Sequence, residues 1–154
     1  MELRQANIED LDELRGLFKE TIQTVNTADY TPEQIKVWSA GSEQTERWEK
    51  RIAEQYIVLG TIDGLIVGMS SLSIEGYLDL MYVHKDYQRQ GIAQRLYKKI
   101  EQKAYEQQNS KITVDVSITA KPFFEQMGFD LIRVQALNLK GVVFKNNQMQ
   151  KILK

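Results

Sequence analysis

The chain of 154 residues contains no cysteine, one histidine and only two prolines. The missing cysteine excludes disulfides, thiolate metal ligands and covalent catalysis through a cysteine nucleophile. One histidine, His84, is too few for a zinc cluster built on imidazole nitrogens, so we expect no metal. The chemistry that remains must rely on oxygen or nitrogen groups and on the backbone.

The sequence also lacks a charge excess and a long apolar run. Lys and Arg total 20 and Asp and Glu total 21, which gives no reason to expect binding to nucleic acid or to an anionic membrane. No apolar run has the length of a membrane span, and the start of the chain is polar. We therefore expect a cytoplasmic protein. The absence of repeats and of linkers rich in proline or glycine predicts a single domain over residues 1–154.

What the chain does contain is a glycine-bearing turn where a strand pattern changes to a helix pattern. The apolar run Tyr77–Val83 precedes the turn, Gly91 lies at its end, and apolar residues recur at helical spacing from Ile92 to Tyr105. The first amides of a helix have no acceptor within it and attract anions. The turn thus predicts a phosphorylated ligand, although a helix cap without a ligand would have the same glycine. Neither a Walker sequence nor a G-x-G-x-x-G turn is present.

The remaining elements follow from caps, turns and periodicity. Asn7 with Asp10 predicts a helix start, Thr31 with Pro32 predicts a second, and Ser42 begins a third. Strands are predicted over five further segments: Tyr56–Ile62, Leu65–Ser73, Ile112–Ser117, Phe129–Leu139 and Val142–Leu153. Asp63-Gly64 indicates a hairpin between the first two, and Pro122 opens a short helix that ends at Gly128. The alternation that predicts the strand at Ile112 continues to Thr119.

Two motifs carry a resemblance to a known family. Gln88-Arg89-Gln90-Gly91-Ile92-Ala93 has the form Gln-x-x-Gly-x-Ala, and the second run is Ile118-Thr119-Ala120-Lys121-Pro122-Phe123-Phe124. With this spacing the chain resembles the GNAT family of acyl-CoA-dependent N-acyltransferases, in particular a subgroup of small bacterial members. The resemblance is strong from Tyr77 to Phe129 and weak before Tyr56. It implies an α/β (α+β) GNAT fold: a mixed, mostly antiparallel central sheet flanked by helices, with a splayed parallel strand pair.

The resemblance also implies acetyl-CoA as the acyl donor. In this family the pantetheine arm lies between the splayed strands, here Tyr77–Val83 and Ile112–Ser117, and the pyrophosphate lies on the amides of residues 89–94. Main-chain groups at Met81 and Val83 would bind the arm. The cofactor-binding residues expected on this basis are Met81, Val83, Gln88, Arg89, Gln90, Gly91, Ile92, Ala93, Gln94, Ser117 and Phe124.

Transfer to nitrogen requires a neutral amine. An alkylammonium with a pKa of about 10.4 is neutral about once in 2,500 molecules at pH 7, a cost of roughly 4.6 kcal/mol. Asp79 interrupts an apolar strand and matches a position where several family members place a catalytic carboxylate, so it is the leading candidate for the base. The alternative interpretation is that the Asp79 side chain only faces solvent from one side of the sheet. Tyr82 is the second catalytic candidate, or it packs. Glu75 and His84 are alternative bases, with His84 also suited to capping a turn through Asp86.

One position departs from the family pattern. Where family members commonly have a tyrosine that protonates the departing thiolate, this sequence has Phe124. A general acid typically contributes about 10²- to 10⁴-fold in rate, so its loss weakens this mechanism without abolishing it. Ser117 or a nearby tyrosine are candidate substitutes.

The acceptor is expected to be an amine of a small molecule or a peptide. Tyr30 and Trp38, and also Trp48, lie in the segment that covers the acceptor cleft by resemblance, where aromatic rings suit a cation, although such residues also form helix cores. Acids outnumber bases in residues 1–54, which favours a cationic acceptor. The alternatives are a non-catalytic acyl-CoA-binding module and a purely structural turn at Gly91. The long C-terminal strand pair is a candidate homodimer surface.

Overall fold

The computed structural model describes residues 1–154 and contains one seven-stranded sheet, with strand order β1-β2-β3-β4-β5-β7-β6. All neighbours pair antiparallel except β4 and β5, which are parallel. The strands are β1 (Glu2–Gln5), β2 (Tyr56–Ile62), β3 (Leu65–Leu72), β4 (Tyr77–Val83), β5 (Lys111–Val116), β6 (Asp130–Leu139) and β7 (Val142–Ile152). The predicted mixed, mostly antiparallel sheet is confirmed.

Five helices flank the sheet, on both of its faces. They are α1 (Leu11–Thr24), α2 (Pro32–Ser39), α3 (Thr45–Glu54), α4 (Ile92–Glu106) and α5 (Lys121–Gln126). Helices α1–α3 pack on one apolar cluster, whereas α4 and α5 pack on another. Alternation along β2 divides its residues between the two, since Val58 belongs to the α4 cluster and Ile57 and Leu59 to the other. No helix has the length and apolar character needed to cross a membrane.

Local sequence explains where the first helices begin. Asn7 and Asp10 form a reciprocal capping box at the 3₁₀ turn that leads into α1, and Thr31 and Gln34 form another at α2. Both starts were predicted. The predicted start at Ser42 is wrong by three residues, because residues 40–43 form a separate 3₁₀ turn and α3 begins only at Thr45.

Strand β5 ends earlier than its alternating pattern predicts. Its last residue is Val116, and the chain then turns out of the sheet toward α5. Ser117 Oγ accepts a hydrogen bond from the Ala120 amide at 3.1 Å, and the Ile118 amide donates to the Tyr30 hydroxyl at 2.9 Å. These bonds replace sheet pairing. Ile118, with 47 % of its surface exposed, therefore does not join the core.

The fold's main consequence for a site is a gap between β4 and β5. The two strands pair only at Tyr77↔Thr113 and Leu78↔Val114. Beyond that point β4 remains paired with β3 and β5 remains paired with β7, so that β4 and β5 separate. The pairing of β4 with β3 also skips one residue, because Leu78 and Leu80 face Leu72 and Ser71, which leaves Asp79 in a bulge. The predicted splayed pair is confirmed.

Candidate active site

A cleft of about 610 Å³ lies where β4 and β5 separate. Strands β4 and β5, the first turn of α4, the segment leading into α5 and residues of α1 and α2 form its walls. Most of the residues predicted from the sequence face it: Trp38, Asp79, Met81, Tyr82, Val83, Gln88, Arg89, Gly91, Ile92, Ala93, Gln94, Ser117 and Phe124. Two predicted residues, Tyr30 and Gln90, are not among its lining residues.

The turn before α4 offers open backbone amides to this cleft. Gly91 has a left-handed backbone with φ of 77°, and the first helical bond runs from Arg95 N–H to the Gly91 oxygen at 3.1 Å. The amides that precede it in the helix, those of residues 92–94, have no acceptor within the helix. A Cβ built on Gly91 would meet no atom within 4 Å. The helix start is thus shaped to receive an anionic group at close range.

The turn is also tied to the end of β4. The Gln88 side chain donates from Nε2 to the Val83 oxygen at 2.6 Å, which fixes the turn against the strand. Met81 and Val83 line the cleft, and the β5-facing edge of β4 has no strand partner from Asp79 onward. This edge leaves main-chain groups that can bind an extended, amide-bearing ligand.

Asp79 is held in place by two side chains of the α3 region. Its Oδ2 accepts hydrogen bonds from Arg51 Nε at 2.8 Å and from Gln55 Nε2 at 2.9 Å. The side chains of Asp79 and Arg51 are only 15 % and 10 % exposed, and the Arg51 guanidinium lies 4.5 Å from the centre of the Trp48 ring. Asp79 is therefore a fixed carboxylate at the cleft wall. Both of these hydrogen bonds end on Oδ2, and neither uses Oδ1.

Tyr82 and Trp38 bring aromatic surface to the same part of the cleft. The Tyr82 ring packs on Phe18 with centroids 5.1 Å apart. Burial raises the pKa of the Tyr82 phenol well above its ordinary value, an effect that the nearby Arg51 opposes and Asp79 reinforces. The phenol consequently keeps its proton at neutral pH and is available as a hydrogen-bond donor.

The other two aromatic candidates are packed into the protein. The Tyr30 hydroxyl accepts from the Ile118 amide, and its ring contacts Trp38 edge to face with centroids 5.2 Å apart. Trp48 is fully buried and donates from Nε1 to the Gly41 oxygen at 3.1 Å. Of the three aromatic residues considered for the acceptor wall, the cleft brings in only Trp38.

The alternative bases lie elsewhere. His84 Nδ1 accepts a hydrogen bond from the Asp86 amide at 3.1 Å, which is the turn-capping contact expected from the sequence. Glu75 is exposed in the turn between β3 and β4. Neither residue lines the cleft. Among the bases considered, Asp79 alone does so.

A second carboxylate in the cleft, Asp115, was missed by sequence reasoning. Its Oδ2 accepts from the Tyr77 hydroxyl at 2.9 Å and its Oδ1 from Gln135 Nε2 at 2.7 Å. No lysine or arginine forms a salt bridge with it. In the sequence Asp115 is one polar residue of an alternating strand, and nothing distinguishes it from a solvent-facing one. Its partners come from β4 and β6, which only the sheet brings together.

The departure at Phe124 has a structural explanation. Phe124 is 2 % exposed and lies edge to face with Phe123 and Phe129, each at a centroid distance of 5.2 Å. Phe124 therefore contributes an apolar surface to the cleft wall and has no proton to donate to a leaving group. Ser117 lines the cleft, and its Oγ accepts a hydrogen bond from the Ala120 amide.

This fold, with a helix start of open amides beside a splayed strand pair, is matched by known proteins. Residues 26–152 match the Acetyltransferase (GNAT) domain model. The chain is 32% identical over 150 residues to the uncharacterized N-acetyltransferase YafP of Escherichia coli (strain K12), covering 97% of this chain and 95% of that protein. The chain belongs to the GNAT acetyltransferase family.

Solved structures agree with this assignment. A GCN5-related N-acetyltransferase from Rhodopseudomonas palustris superposes with a TM-score of 0.94 at 27% identity, covering 99% of this chain and 95% of that chain. The PaiA N-acetyltransferase of Thermoplasma acidophilum, solved in complex with coenzyme A, has a TM-score of 0.81 at 18% identity, covering 99% and 98% of the two chains. The fold is that of the family throughout, and membership supports an N-acetyltransferase activity.

Proposed function

We propose that the protein transfers an acetyl group from acetyl-CoA directly to a cationic amine of a small molecule or peptide. The observation that carries this proposal is the single cleft in which the open start of α4 faces the bulge of β4 with its carboxylate. Membership in the family supports it, as does the coenzyme A complex of the PaiA relative.

The donor half of the cleft fits acetyl-CoA. The amides of Ile92, Ala93 and Gln94 are oriented to bind the pyrophosphate, and the space before Gly91 lets the phosphates approach the backbone. Arg89 lines the same wall and supplies a positive charge. The unpaired edge of β4 at Met81 and Val83 would bind the pantetheine amides.

The acceptor half fits a positively charged amine. Asp79 and Asp115 both line it, and Asp115 has only neutral hydrogen-bond donors as partners. Trp38 and Tyr82 add aromatic surface, which attracts an ammonium through the ring quadrupole. Asp115 thus has no positively charged partner in the protein, and a cationic acceptor would supply one.

The residues define a direct route for the group transfer. Asp79 Oδ1, or a water bound to it, takes a proton from the ammonium, and the freed nitrogen lone pair attacks the thioester carbon. The carbon–sulfur bond then breaks and the acetyl group stays on nitrogen. The second proton that this nitrogen loses reaches the thiolate through the Ser117 hydroxyl or through water, while Asp79 releases the first to solvent. Since the chain has no cysteine, both substrates must be bound together, and the cleft gains rate by holding them in contact.

The first test is a calorimetric titration with acetyl-CoA and with free CoA, followed by an amine panel assayed by thiol release. We expect saturable binding of both thiol compounds and acetyl-dependent release with cationic amines. Binding without turnover on any amine would favour the non-catalytic acyl-CoA-binding module, for which Phe124 in place of a proton donor is the supporting observation. The absence of binding to folded protein contradicts both functions.

A further inference from the structure

Strand β6 is an edge of the sheet with no neighbour on its outer side. Its ten residues, Asp130–Leu139, pair only with β7, and every one except Gln135 is exposed. Large apolar side chains dominate this edge, each 40 to 58 % exposed: Leu131, Ile132, Val134, Leu137 and Leu139. Long, apolar, unpaired edges are the strands that other chains pair with.

The opposite edge of the same sheet shows the contrast. Strand β1 has four residues, Glu2–Gln5, of which two are charged. A short, charged edge is a usual defence against pairing with another chain. The β6 edge has neither feature, because Arg133 is the one charge between Asp130 and the turn at Lys140. The β1 end is thus both short and charged, whereas the protection of β6 is limited to a bulge at Ile132.

The charges at the two ends of β6 indicate the partner. Asp130 opens the strand and Lys140 directly follows its last residue. If two copies of β6 lie antiparallel about a two-fold axis, Asp130 of each copy approaches Lys140 of the other, whereas parallel pairing sets like charges together. A two-fold contact also uses the same surface on both chains, so a single apolar edge is sufficient.

We propose that β6 pairs antiparallel with β6 of a second copy of this chain, which joins the two sheets into one. Because a strand rises about 3.4 Å per residue, the ten residues give an edge on the order of 34 Å long. Pairing over this length forms about ten backbone hydrogen bonds, as in a typical specific interface. An edge one sheet thick, about 10 Å, covers on the order of 340 Å² in projection, below the standard interface of about 800 Å² per partner. We therefore expect a reversible dimer.

Sedimentation velocity over a wide protein concentration range tests this proposal. We expect the sedimenting mass to rise with concentration from that of the 17.9 kDa chain to twice that value. Val134→Lys, on the free edge, should raise the dimer dissociation constant about tenfold or more, since each dimer receives two new charges in an apolar contact. Ile74→Lys is the matched control, because Ile74 is 64 % exposed in the β3–β4 turn. A monomer at all concentrations, or a dimer insensitive to the Val134 change, overturns the proposal.

Cross-linking gives an independent readout of the same contact. The chain has no cysteine, so a single introduced cysteine can form a disulfide only with a second copy. The pairing of Asp130 with Lys140 places the two-fold axis at residue 135, where identical residues meet. Variants Val134→Cys, Gln135→Cys and Ala136→Cys therefore scan β6 across this axis. We expect rapid oxidation to a covalent dimer at one of these positions and none with Ile74→Cys. Equal oxidation of all four variants would contradict strand pairing.

Discussion

The two halves of the cleft are built from different parts of the chain. The proposed donor half consists mainly of backbone: a left-handed glycine, the first amides of α4 and an unpaired edge of β4. The proposed acceptor half consists of side chains that other side chains hold in place. Arg51 and Gln55 donate to Asp79, and Tyr77 and Gln135 donate to Asp115. A site made of backbone depends on one local conformation, whereas a site made of side chains depends on each distant partner.

This difference predicts how each half fails. Most side-chain changes in the donor half should leave its amides in place, and the exception is a change that fills the space before Gly91. In the acceptor half, each removed carboxylate should alter catalysis or amine binding without affecting the donor. Three substitutions separate these effects, and a fourth tests a contact outside both halves.

The largest effect is expected at the donor half. Gly91→Glu places a side chain and a negative charge where the pyrophosphate is proposed to lie, so affinity for acetyl-CoA should fall more than about 100-fold, close to 3 kcal/mol. Gly64→Glu is a matched control, because Gly64 also has a positive φ, of 80°, and open space around a built Cβ. Calorimetry measures affinity and thermal unfolding measures stability.

Both glycine variants should lose similar stability, about 1–2 kcal/mol from the left-handed backbone. The comparison fails if Gly64→Glu weakens acetyl-CoA binding as much as Gly91→Glu does, or if neither variant affects it.

The next largest effect is expected on turnover. Asp79→Asn removes the proposed base and should lower kcat about 10²- to 10⁴-fold, while the Kd of acetyl-CoA stays within about twofold. Steady-state kinetics and calorimetry provide the two numbers. Glu75→Gln is the control, since that carboxylate lies in an exposed turn outside the cleft. If Glu75→Gln slows turnover and Asp79→Asn does not, the assignment of the base is wrong.

A smaller effect is expected on acceptor binding. Asp115→Asn removes a carboxylate that has no cationic partner, and an exposed ion pair with the substrate contributes at most about 1 kcal/mol. The KM for a cationic amine should therefore rise about fivefold with little change in kcat. Glu125→Gln provides the control, because Glu125 is exposed on α5 and does not line the cleft. A fall in kcat with unchanged KM would show that Asp115 acts in the reaction rather than in binding.

The smallest effect on the site is expected from a contact outside both halves. Hydrogen bonds from Arg4 at 2.8 and 2.9 Å lower the pKa of the Asp10 carboxyl. A lowered pKa stabilises the fold above the unfolded value, about 3.9, and this contribution is lost as the pH falls through the folded value. Asp10→Asn should thus cost about 1–2 kcal/mol of unfolding free energy at pH 7, and progressively less below pH 4.

Urea denaturation at several pH values measures this difference. Asp12→Asn serves as the control, because the Asp12 side chain is 92% exposed and pairs only with Arg15 one turn away. Acetyl-CoA binding at pH 7 should be unchanged in both variants. A cost that persists undiminished at low pH would contradict the ionic origin of the Asp10 contribution.

Much of the fold followed from local patterns. The capping boxes at Asn7 and Thr31, the hairpin at Asp63-Gly64 and the strands β2 and β4 are encoded within a few residues. The end of β5 is not encoded locally, because the alternating pattern continues past Val116. A hydrogen bond from the Ile118 amide to Tyr30, 88 positions away, draws the chain out of the sheet. Likewise, sequence could not separate Trp38, which lines the cleft, from the buried Trp48.

By itself the sequence determined the elements, the helix start at Gly91 and the family resemblance, because caps, turns and periodicity act over a few residues. The tertiary structure decided the surroundings of the two carboxylates in the proposed acceptor half. Asp79 is held by partners 28 and 24 positions away and Asp115 by partners 38 and 20 positions away. The direction and neighbours of a carboxylate on a strand depend on which strands and helices pack beside it, and that information is spread over the whole chain.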